Sequence, residues 1–132
     1  MIVTGICFPG NCEEAINFYK ETLGAKVEEI AYFRDAPPDH GMDDSLPPDF
    51  VMHSELIIFG TKIIMTDGAE ADASGGNFDL NIFLDAAEEV EAVFNKLAEG
   101  GTVIAPLAST YWWADMYGFV TDRFGVSWSV MK

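Results

Sequence analysis

Apolar residues recur at intervals of three and four positions in two segments of the chain, which is the spacing of one face of an α-helix. Each segment ends at a glycine, Gly24 or Gly100, a residue that commonly terminates helices. The pattern predicts two amphipathic helices of similar length. Their apolar positions are Ala15, Ile16, Tyr19 and Leu23 in the first and Val90, Val93, Phe94 and Leu97 in the second.

Both predicted helices begin with a capping-box-like signature, in which a short polar residue is followed three positions later by a glutamate. The two pairs are Asn11 with Glu14 and Asp85 with Glu88. We therefore expect the helices to start at Asn11 and Asp85.

Each helix lies between strand-like runs. Residues 2–8 and 78–84 precede the helices, another β-rich run follows each helix, and predicted hairpins at residues 50–66 and 113–132 close the two halves. The predicted order is βαβββ twice, which is an α+β fold built from two modules.

The modules are predicted at about residues 1–67 and 78–132, with a linker at about 67–77. The hairpin glycines Gly60 and Gly125 lie closer in sequence than the helix starts do, so the first module must contain an insertion. Residues 34–49 fit this insertion, because prolines, acids and glycine resist both helix and strand. His40, inside it, is expected on a surface loop, with a role in a lid as the alternative.

The chain has 132 residues, with 22 acidic and 7 basic side chains and a net charge of −15. A field of that sign repels phosphate backbones and anionic membranes, so we expect no nucleic-acid and no membrane partner. No apolar run approaches the roughly 20 residues that a bilayer crossing needs, and the first residues show no signal-peptide pattern. We expect a cytoplasmic protein in which Cys7 and Cys12 are reduced structural thiols.

Three segments resemble the vicinal-oxygen-chelate superfamily of glyoxalases, bleomycin-resistance proteins and dioxygenases. They are NCEEAINFYKETLGAKV from Asn11, MHSELIIFGTKIIMTD from Met52 and WWADMYGFVTDRFGVSWSV from Trp112. They look like the PhnB-like subgroup, often labelled 3-demethylubiquinone methyltransferase-like, although the chain has no glycine-rich dinucleotide-type loop for a methyl donor. The resemblance implies a single domain with a curved mixed sheet around a small-molecule cleft.

In metal-dependent relatives, as the resemblance implies, side chains on the first and last strands of the modules hold a divalent ion. The matching positions here are Thr4, Ile64, Asp79 and Ser129. Because Asp79 alone among them is a plausible ligand, we expect no metal at the usual positions. The cofactor is therefore unknown, and a divalent metal would need replacement ligands from neighbouring strands.

The first hairpin is predicted to turn at Gly60 and Thr61, which would pair Glu55 with Thr66 and place paired residues on one face. If Ile64 faces the cleft, as the resemblance implies, a polar set faces it too, and an apolar set packs beneath a helix. The cleft set is His53, Glu55, Ile57 and Thr66, and the helix set is Leu56, Ile58, Ile63 and Met65.

His53 and Glu55 form an H-x-E pair about 7 Å apart along the strand. Such a pair suits a shared substrate or metal, or a base with its orienting carboxylate. The alternative is a hydrogen-bonded or solvent-facing pair that fixes the strand register.

In the second module, strand alternation places Asp79 and Asn81 on the cleft face of residues 78–84, and Ser129 on the cleft face of the last strand. A carboxylate aimed into a partly enclosed cavity loses solvation unless a partner compensates. Asp79 is therefore a third candidate catalytic residue beside His53 and Glu55. The candidate ligand-binding residues are Thr4, Thr66, Asn81, Trp112, Trp113, Tyr117 and Ser129, the aromatic ones offering flat apolar surface.

Two functions compete. One is a protein that binds a small organic ligand without the usual metal site. The other is an enzyme of the lyase, isomerase or dioxygenase class that uses His53, Glu55 and Asp79 on a small oxygenated metabolite. The resemblance also implies a homodimer, and two-fold pairing is the commonest assembly.

Overall fold

The computed structural model describes residues 1–39, 41, 45–68 and 77–132. The chain divides into two compact units, Met1–Asp72 and Ala73–Lys132. His40 and nearly all of the predicted linker lie outside the described residues.

The first unit contains a four-stranded mixed sheet and an α-helix. Its elements are β1 (Thr4–Phe8), α1 (Cys12–Leu23), β2 (Lys26–Tyr32), a 3₁₀ turn (Phe33–Asp35), β3 (Val51–Ile58) and β4 (Thr61–Asp67). The strands lie in the order β1-β4-β3-β2, with β1 parallel to β4 and the other neighbours antiparallel. The predicted βαβββ order is confirmed for this module.

The second unit repeats the same arrangement. Its elements are β5 (Leu80–Phe83), α2 (Ala87–Ala98), β6 (Thr102–Ala108), β7 (Tyr117–Thr121) and β8 (Ser127–Met131), in the sheet order β5-β8-β7-β6. Pro106 lies on the edge strand β6, where a residue without an N–H is tolerated. The two-module α+β fold is confirmed. Neither α1 nor α2, at 12 residues each, has the length and apolar character that a membrane-spanning helix requires.

The start of α1 is held by a residue that is remote in sequence. Asn11 is the N-cap, but its side chain makes no capping bond and its buried Oδ1 has no partner among the described atoms. Instead, Oδ1 of Asp67 accepts the N–H of Gly10 at 3.0 Å and of Cys12 at 2.9 Å. The predicted capping role of Asn11 is wrong, because the end of β4 supplies the acceptor. Gly24, with φ of 65°, ends the helix as predicted.

The start of α2 differs from the prediction by one residue. Ala86 is the N-cap and has no side-chain hydrogen bond, whereas Asp85 lies just outside the helix. The capping box predicted at Asp85 is therefore absent. The predicted end at Gly100 is close to the observed one, since Glu99 is the C-cap and Gly100 follows it with φ of 73°.

The hairpin of β3 and β4 turns at Phe59 and Gly60, one residue earlier than predicted. Both residues have positive φ, 47° and 79°, as a type I′ turn requires. The observed register pairs Glu55 with Ile64, so the predicted pairing with Thr66 is wrong by two positions. A shift of two leaves every side chain on its predicted face, because side chains alternate with a period of two.

The face of the first sheet that packs against α1 forms the core of the unit. Leu56 and Met65 are fully buried there, and Ile58 and Ile63 nearly so. The predicted cleft set lies on the opposite face, half-buried. We call this opposite face the open face of the sheet. The predicted division of the hairpin into an apolar helix side and a more polar open side is confirmed.

A buried carboxylate also organises the turn between β7 and β8. Oδ1 of Asp122 accepts the N–H groups of Phe124 at 2.9 Å and Val126 at 3.1 Å, and Oδ2 accepts Nε1–H of Trp128 at 2.9 Å. Trp128 is 1% exposed. The D-x-F-G-x-x-W segment therefore fixes a turn and orients a core indole, which is a role in folding.

Candidate functional site

His53 and Glu55 project from β3 onto the open face of the first sheet. Nε2 of His53 lies 3.3 Å from Oε1 of Glu55, so the two side chains meet although their backbones are two residues apart. Their side chains are 38% and 23% exposed, which leaves the pair reachable by a ligand.

Lys62 on β4 is the cation beside this pair. Its Nζ donates to Oε2 of Glu55, so the carboxylate has the imidazole on one oxygen and the ammonium on the other. The hydrogen bond from Lys62, followed by that from His53, lowers the pKa of Glu55. In turn the hydrogen bond with Glu55 raises the pKa of Lys62, and the charges of Glu28 and Glu29 act in the same direction. Glu55 is therefore held as the carboxylate.

A bulge in β2 brings a second carboxylate to the same place. Val27 pairs with Leu56, yet Glu29 pairs with Glu55, so Glu28 is an extra residue on the β2 side. Bulges of this kind redirect side chains and are common beside functional sites. One ligand atom each from Glu29, His53 and Glu55 lies within 4.8 Å of the others. We call these three residues the β2–β3 cluster.

The first strand departs from the predicted site. Thr4 pairs with Ile63, which is buried on the helix side, so the position of β1 that shares a face with Ile64 is Gly5. The placement of Thr4 on the cleft face is wrong by one residue. Thr66 lies on the open face as predicted, opposite Cys7.

Cys7 and Cys12 are both free thiols, as predicted. Cys7 is exposed, whereas Cys12 is fully buried at the start of α1. Burial, reinforced by the charge of Asp67, raises the pKa of the Cys12 thiol far above its ordinary value. Cys12 is therefore inert as a nucleophile or metal ligand.

The second unit contains a separate polar group. Oδ2 of Asp79 accepts a hydrogen bond from Oγ of Ser129 at 3.0 Å and from Nδ2 of Asn81 at 3.2 Å. Tyr117 adds its hydroxyl at 3.5 Å from Oγ of Ser129. These four residues form the Asp79 network. The predicted shared face of Asp79, Asn81 and Ser129 is thereby confirmed, but Asp79 is exposed, so the expectation of a desolvated carboxylate is wrong.

An aromatic cluster borders this network. The ring centroids of Trp113 and Tyr117 are 5.2 Å apart, and Tyr111 lies 5.0 Å from each. Trp112 stands edge-on to Trp113 at 5.7 Å. Trp112 is 91% and Trp113 51% exposed, so flat apolar surface is available to a ligand. Both tryptophans lie in the loop before β7, and Tyr117 is the first residue of that strand.

Sequence reasoning missed several members of these groups. The position of Glu29 depends on a bulge, for which the segment carries no glycine or proline signal. Lys62 comes near Glu55 only in the observed register, which pairs Glu55 with Ile64, because the predicted register places Thr66 opposite Glu55. Tyr111 was detectable, since it precedes two tryptophans, and the aromatic run itself was the signal.

The usual metal positions do not fit a metal ion. Ile64 offers no donor, and on β1 neither Thr4 nor Gly5 offers a charged or imidazole group. In the second unit Asp79 has a carboxylate beside the Ser129 hydroxyl, which is a weak pair for a divalent ion. His53 and Glu55 belong to the first unit and Asp79 to the second.

Two βαβββ modules, each with a four-stranded mixed sheet, define the vicinal-oxygen-chelate class of protein. Solved structures of that class share the fold at low identity. The fosfomycin resistance protein FosX from Mesorhizobium loti superposes with a TM-score of 0.65 over 99% of this chain and 89% of its own, at 9% identity.

The chain belongs to the family described as 3-demethylubiquinone-9 3-methyltransferase, whose model matches residues 1–131. Protein YjdN of Escherichia coli is 32% identical over 95% of this chain and 90% of its own. Protein PA1353 from Pseudomonas aeruginosa has a crystal structure with a TM-score of 0.84 and 34% identity, over 99% and 96% of the two chains. A putative 3-demethylubiquinone-9 3-methyltransferase, PhnB protein, from Bacillus cereus has a TM-score of 0.82 and 26% identity, over 98% of this chain and 97% of its own. The resemblance to the PhnB-like subgroup is confirmed.

Proposed function

We propose that the protein binds a small organic cation where the aromatic cluster of the second unit meets the Asp79 network. The observation that carries this proposal is the contact between the aromatic cluster and the Asp79 network. Tyr117 belongs to both, because its ring packs on Tyr111 and Trp113 while its hydroxyl lies beside Ser129.

The chemistry of the two groups is complementary. Aromatic faces attract organic cations through the ring quadrupole, with tryptophan the strongest of the side chains. A carboxylate next to the rings supplies a counter-charge and a hydrogen-bond acceptor. Asp79 keeps unused acceptor capacity, since Ser129 and Asn81 both donate to the same oxygen, Oδ2. A ligand with an apolar body and a cationic head would satisfy both groups.

The charge of the whole chain favours the same ligand. With a net charge of −15, the protein concentrates cations and repels anions near its surface. Proteins of this fold include FosX and a glyoxylase/bleomycin resistance protein/dioxygenase domain, whose names associate the fold with small organic molecules. The identity to both is low, and fosfomycin is an anionic phosphonate, so these names support a small organic ligand but not its positive charge.

The test is a titration with benzyltrimethylammonium, followed by tryptophan fluorescence. Trp112 and Trp113 are exposed whereas Trp128 is buried, so a change in emission reports the aromatic cluster. We expect saturable binding that weakens about tenfold in Trp113→Leu and about fivefold in Asp79→Asn. Uncharged benzyl alcohol should bind more weakly than the cation.

The matched control is Asp115→Asn, which removes one carboxylate from the same unit. Asp115 has an 83% exposed side chain that lies 4.0 Å from Lys132, away from the hydrogen bonds of the Asp79 network. The affinity of the Asp115→Asn variant for benzyltrimethylammonium should stay within about twofold of that of the unmodified protein. Equal losses of affinity in Asp79→Asn and Asp115→Asn would show a general effect of charge and would contradict the proposed site.

We also propose that the protein is a homodimer. The proposal is supported by the fold class and by exposed apolar side chains on the second unit. Phe78 is 81%, Phe83 73% and Ile104 56% exposed, and apolar surface of this kind commonly marks contacts between proteins. Sedimentation equilibrium at micromolar concentration tests it, and a monomer mass would refute it.

A further inference from the structure

We infer that the β2–β3 cluster is a divalent metal site, in which the carboxylates of Glu29 and Glu55 and the imidazole of His53 are the ligands. This site lies in the first unit, on strands that do not bear the usual metal positions of the fold. It does not depend on the organic-cation site proposed for the second unit.

The distances suit a shared ion. Oxygen and nitrogen ligands stand about 2.0–2.2 Å from Zn²⁺, so two neighbouring ligands at tetrahedral or octahedral angles lie roughly 3.0–3.5 Å apart. Nε2 of His53 and Oε1 of Glu55 are 3.3 Å apart. The third ligand atom, from Glu29, completes a set within 4.8 Å, and its side chain is exposed.

The bulge in β2 brings these side chains close together. Without the bulge at Glu28, the pairing of Val27 with Leu56 would continue so that Glu28, not Glu29, stood opposite Glu55. The bulge instead aligns Glu29 with Glu55 and Ala31 with His53. Two carboxylates opposite each other on paired strands repel, which destabilises a sheet unless a cation lies between them.

Lys62 neutralises part of this charge but leaves the ligand atoms accessible. Its ammonium group is bonded to Oε2 of Glu55, while Oε1 faces His53. One oxygen of Glu55 can therefore hold the lysine and the other the metal. Such a hydrogen bond behind a metal-binding carboxylate orients it, as the partners of metal ligands commonly do. Among the described residues Glu29 forms no ion pair, although its charge acts on Lys62. Its exposed carboxylate is therefore available to an ion.

The ligand set defines the class of metal. Two carboxylates and an imidazole suit Zn²⁺, Co²⁺ or Mn²⁺ better than Mg²⁺, which prefers oxygen ligands and retains its water. Three protein ligands leave at least one position for water or for an oxygen atom of a small ligand, which is the arrangement of catalytic rather than structural zinc sites. A metal centre at this place would give the protein a Lewis acid where the usual positions supply none.

The experiment measures Co²⁺ binding to protein stripped with a chelator and free of any affinity tag. Isothermal titration gives the stoichiometry and affinity, and the visible absorption of Co²⁺ reports its coordination. We expect one ion per chain, with absorption typical of oxygen and nitrogen ligands and no thiolate band from Cys7. Zn²⁺ should displace the Co²⁺, in line with general affinity orders.

Variants assign the ligands. Glu29→Gln and His53→Ala should each weaken Co²⁺ binding by at least tenfold, as loss of one ligand from three predicts. Glu28→Gln is the matched control, because it removes the same charge from the adjacent residue of the same strand, and it should change affinity by less than about threefold. All variants are checked for an unchanged far-UV circular dichroism spectrum.

Several outcomes would overturn the inference. These are absence of Co²⁺ binding, a thiolate absorption band that vanishes in Cys7→Ser, or equal losses of Co²⁺ affinity in Glu28→Gln and Glu29→Gln. The organic-cation site is tested separately, since Trp113→Leu should leave Co²⁺ affinity unchanged and Glu29→Gln should leave the fluorescence titration unchanged. A failure of one proposal is thereby distinguished from a failure of the other.

Discussion

Asp67 is a buried side chain whose carboxylate joins three parts of the first unit. It is 7% exposed, and it accepts N–H groups from Gly10 and Cys12 on Oδ1 and from Val51 on Oδ2. Replacement by alanine would leave the buried N–H groups of Cys12 and Val51 without this acceptor. We expect Asp67→Ala to lower the free energy of unfolding by about 3 kcal/mol, measured by urea denaturation.

The control for this prediction is Asp85→Ala, at the position where the sequence pattern predicts a cap. Asp85 is exposed and makes no capping bond to α2, so its loss should change the free energy of unfolding by less than about 0.5 kcal/mol. Similar effects of the two substitutions would contradict the role assigned to Asp67.

For single residues, the sequence predicts which side chains are important more reliably than it predicts their hydrogen-bond partners. The resemblance together with strand alternation predicts Asp79 and Ser129 on one face, and they are hydrogen-bonded. The sequence predicts Asp67 at the start of the linker, because nothing in the local sequence shows that a carboxylate at the end of one strand caps a helix 55 residues earlier. Contacts between remote residues depend on the packing of elements, which a local pattern does not contain.

Between elements, the hydroxyl of Tyr32 at the end of β2 donates to Oε1 of Glu13 in the first turn of α1, at 2.7 Å. This hydrogen bond raises the pKa of Tyr32, because the phenolate would lose the donor and face a negative charge. A tyrosine whose folded pKa is raised contributes stability that is complete below its unfolded value of about 10 and is lost as the pH rises through the folded pKa.

We therefore expect Glu13→Gln to lower the pKa of Tyr32. The measurement is the phenolate absorbance of the protein minus that of its Tyr32→Phe variant, followed through an alkaline titration. Glu14→Gln, one position further along the same exposed turn, should leave that titration unchanged. An unaltered titration in Glu13→Gln would contradict the effect on Tyr32 assigned to the Glu13 carboxylate.

The packing of α2 on its sheet depends on the absence of a side chain at Gly118 in β7. A Cβ there would lie 2.6 Å from Cε2 of Phe94 and 3.1 Å from Cδ1 of Leu107. Gly118→Ala should therefore destabilise the protein by about 1–3 kcal/mol, seen as a lower urea midpoint. Gly5→Ala is the control, since a Cβ at that strand position meets nothing within 4 Å, and it should not lower the midpoint.

Elements were predictable where a periodic pattern repeats over several residues. The spacing of apolar residues predicts both helices and the two faces of the first hairpin. The predicted faces are correct although the predicted register is wrong, because the register error is two residues and side chains alternate with a period of two. The bulge at Glu28 was not predictable, since it depends on how β2 aligns with β3 rather than on its own sequence. For the same reason, the sequence indicates only two of the three residues of the β2–β3 cluster, His53 and Glu55.

At the scale of the whole molecule, the net charge of −15 opposes the homodimer that we propose, because two such chains repel each other. Salt screens this repulsion: the Debye length falls from about 30 Å at 0.01 M to about 8 Å at 0.15 M ionic strength. Contacts between apolar side chains such as Phe83 and Ile104 are not weakened by that change. The dimer should therefore have a lower dissociation constant at 0.15 M than at 0.01 M salt.

Sedimentation equilibrium at the two ionic strengths measures this difference on one sample. A dimer that dissociates as salt is added would show that ion pairs, rather than apolar contacts, hold the chains together. The same comparison with saturating Co²⁺ adds a second test of charge: each bound divalent ion removes two negative charges per chain, so the dimer at 0.01 M salt should tighten if the β2–β3 cluster is filled. At a Co²⁺ concentration that fills the unmodified protein but not Glu29→Gln, the variant should lose the effect of Co²⁺ and keep the effect of salt, which separates the local charge of the cluster from the field of the whole protein.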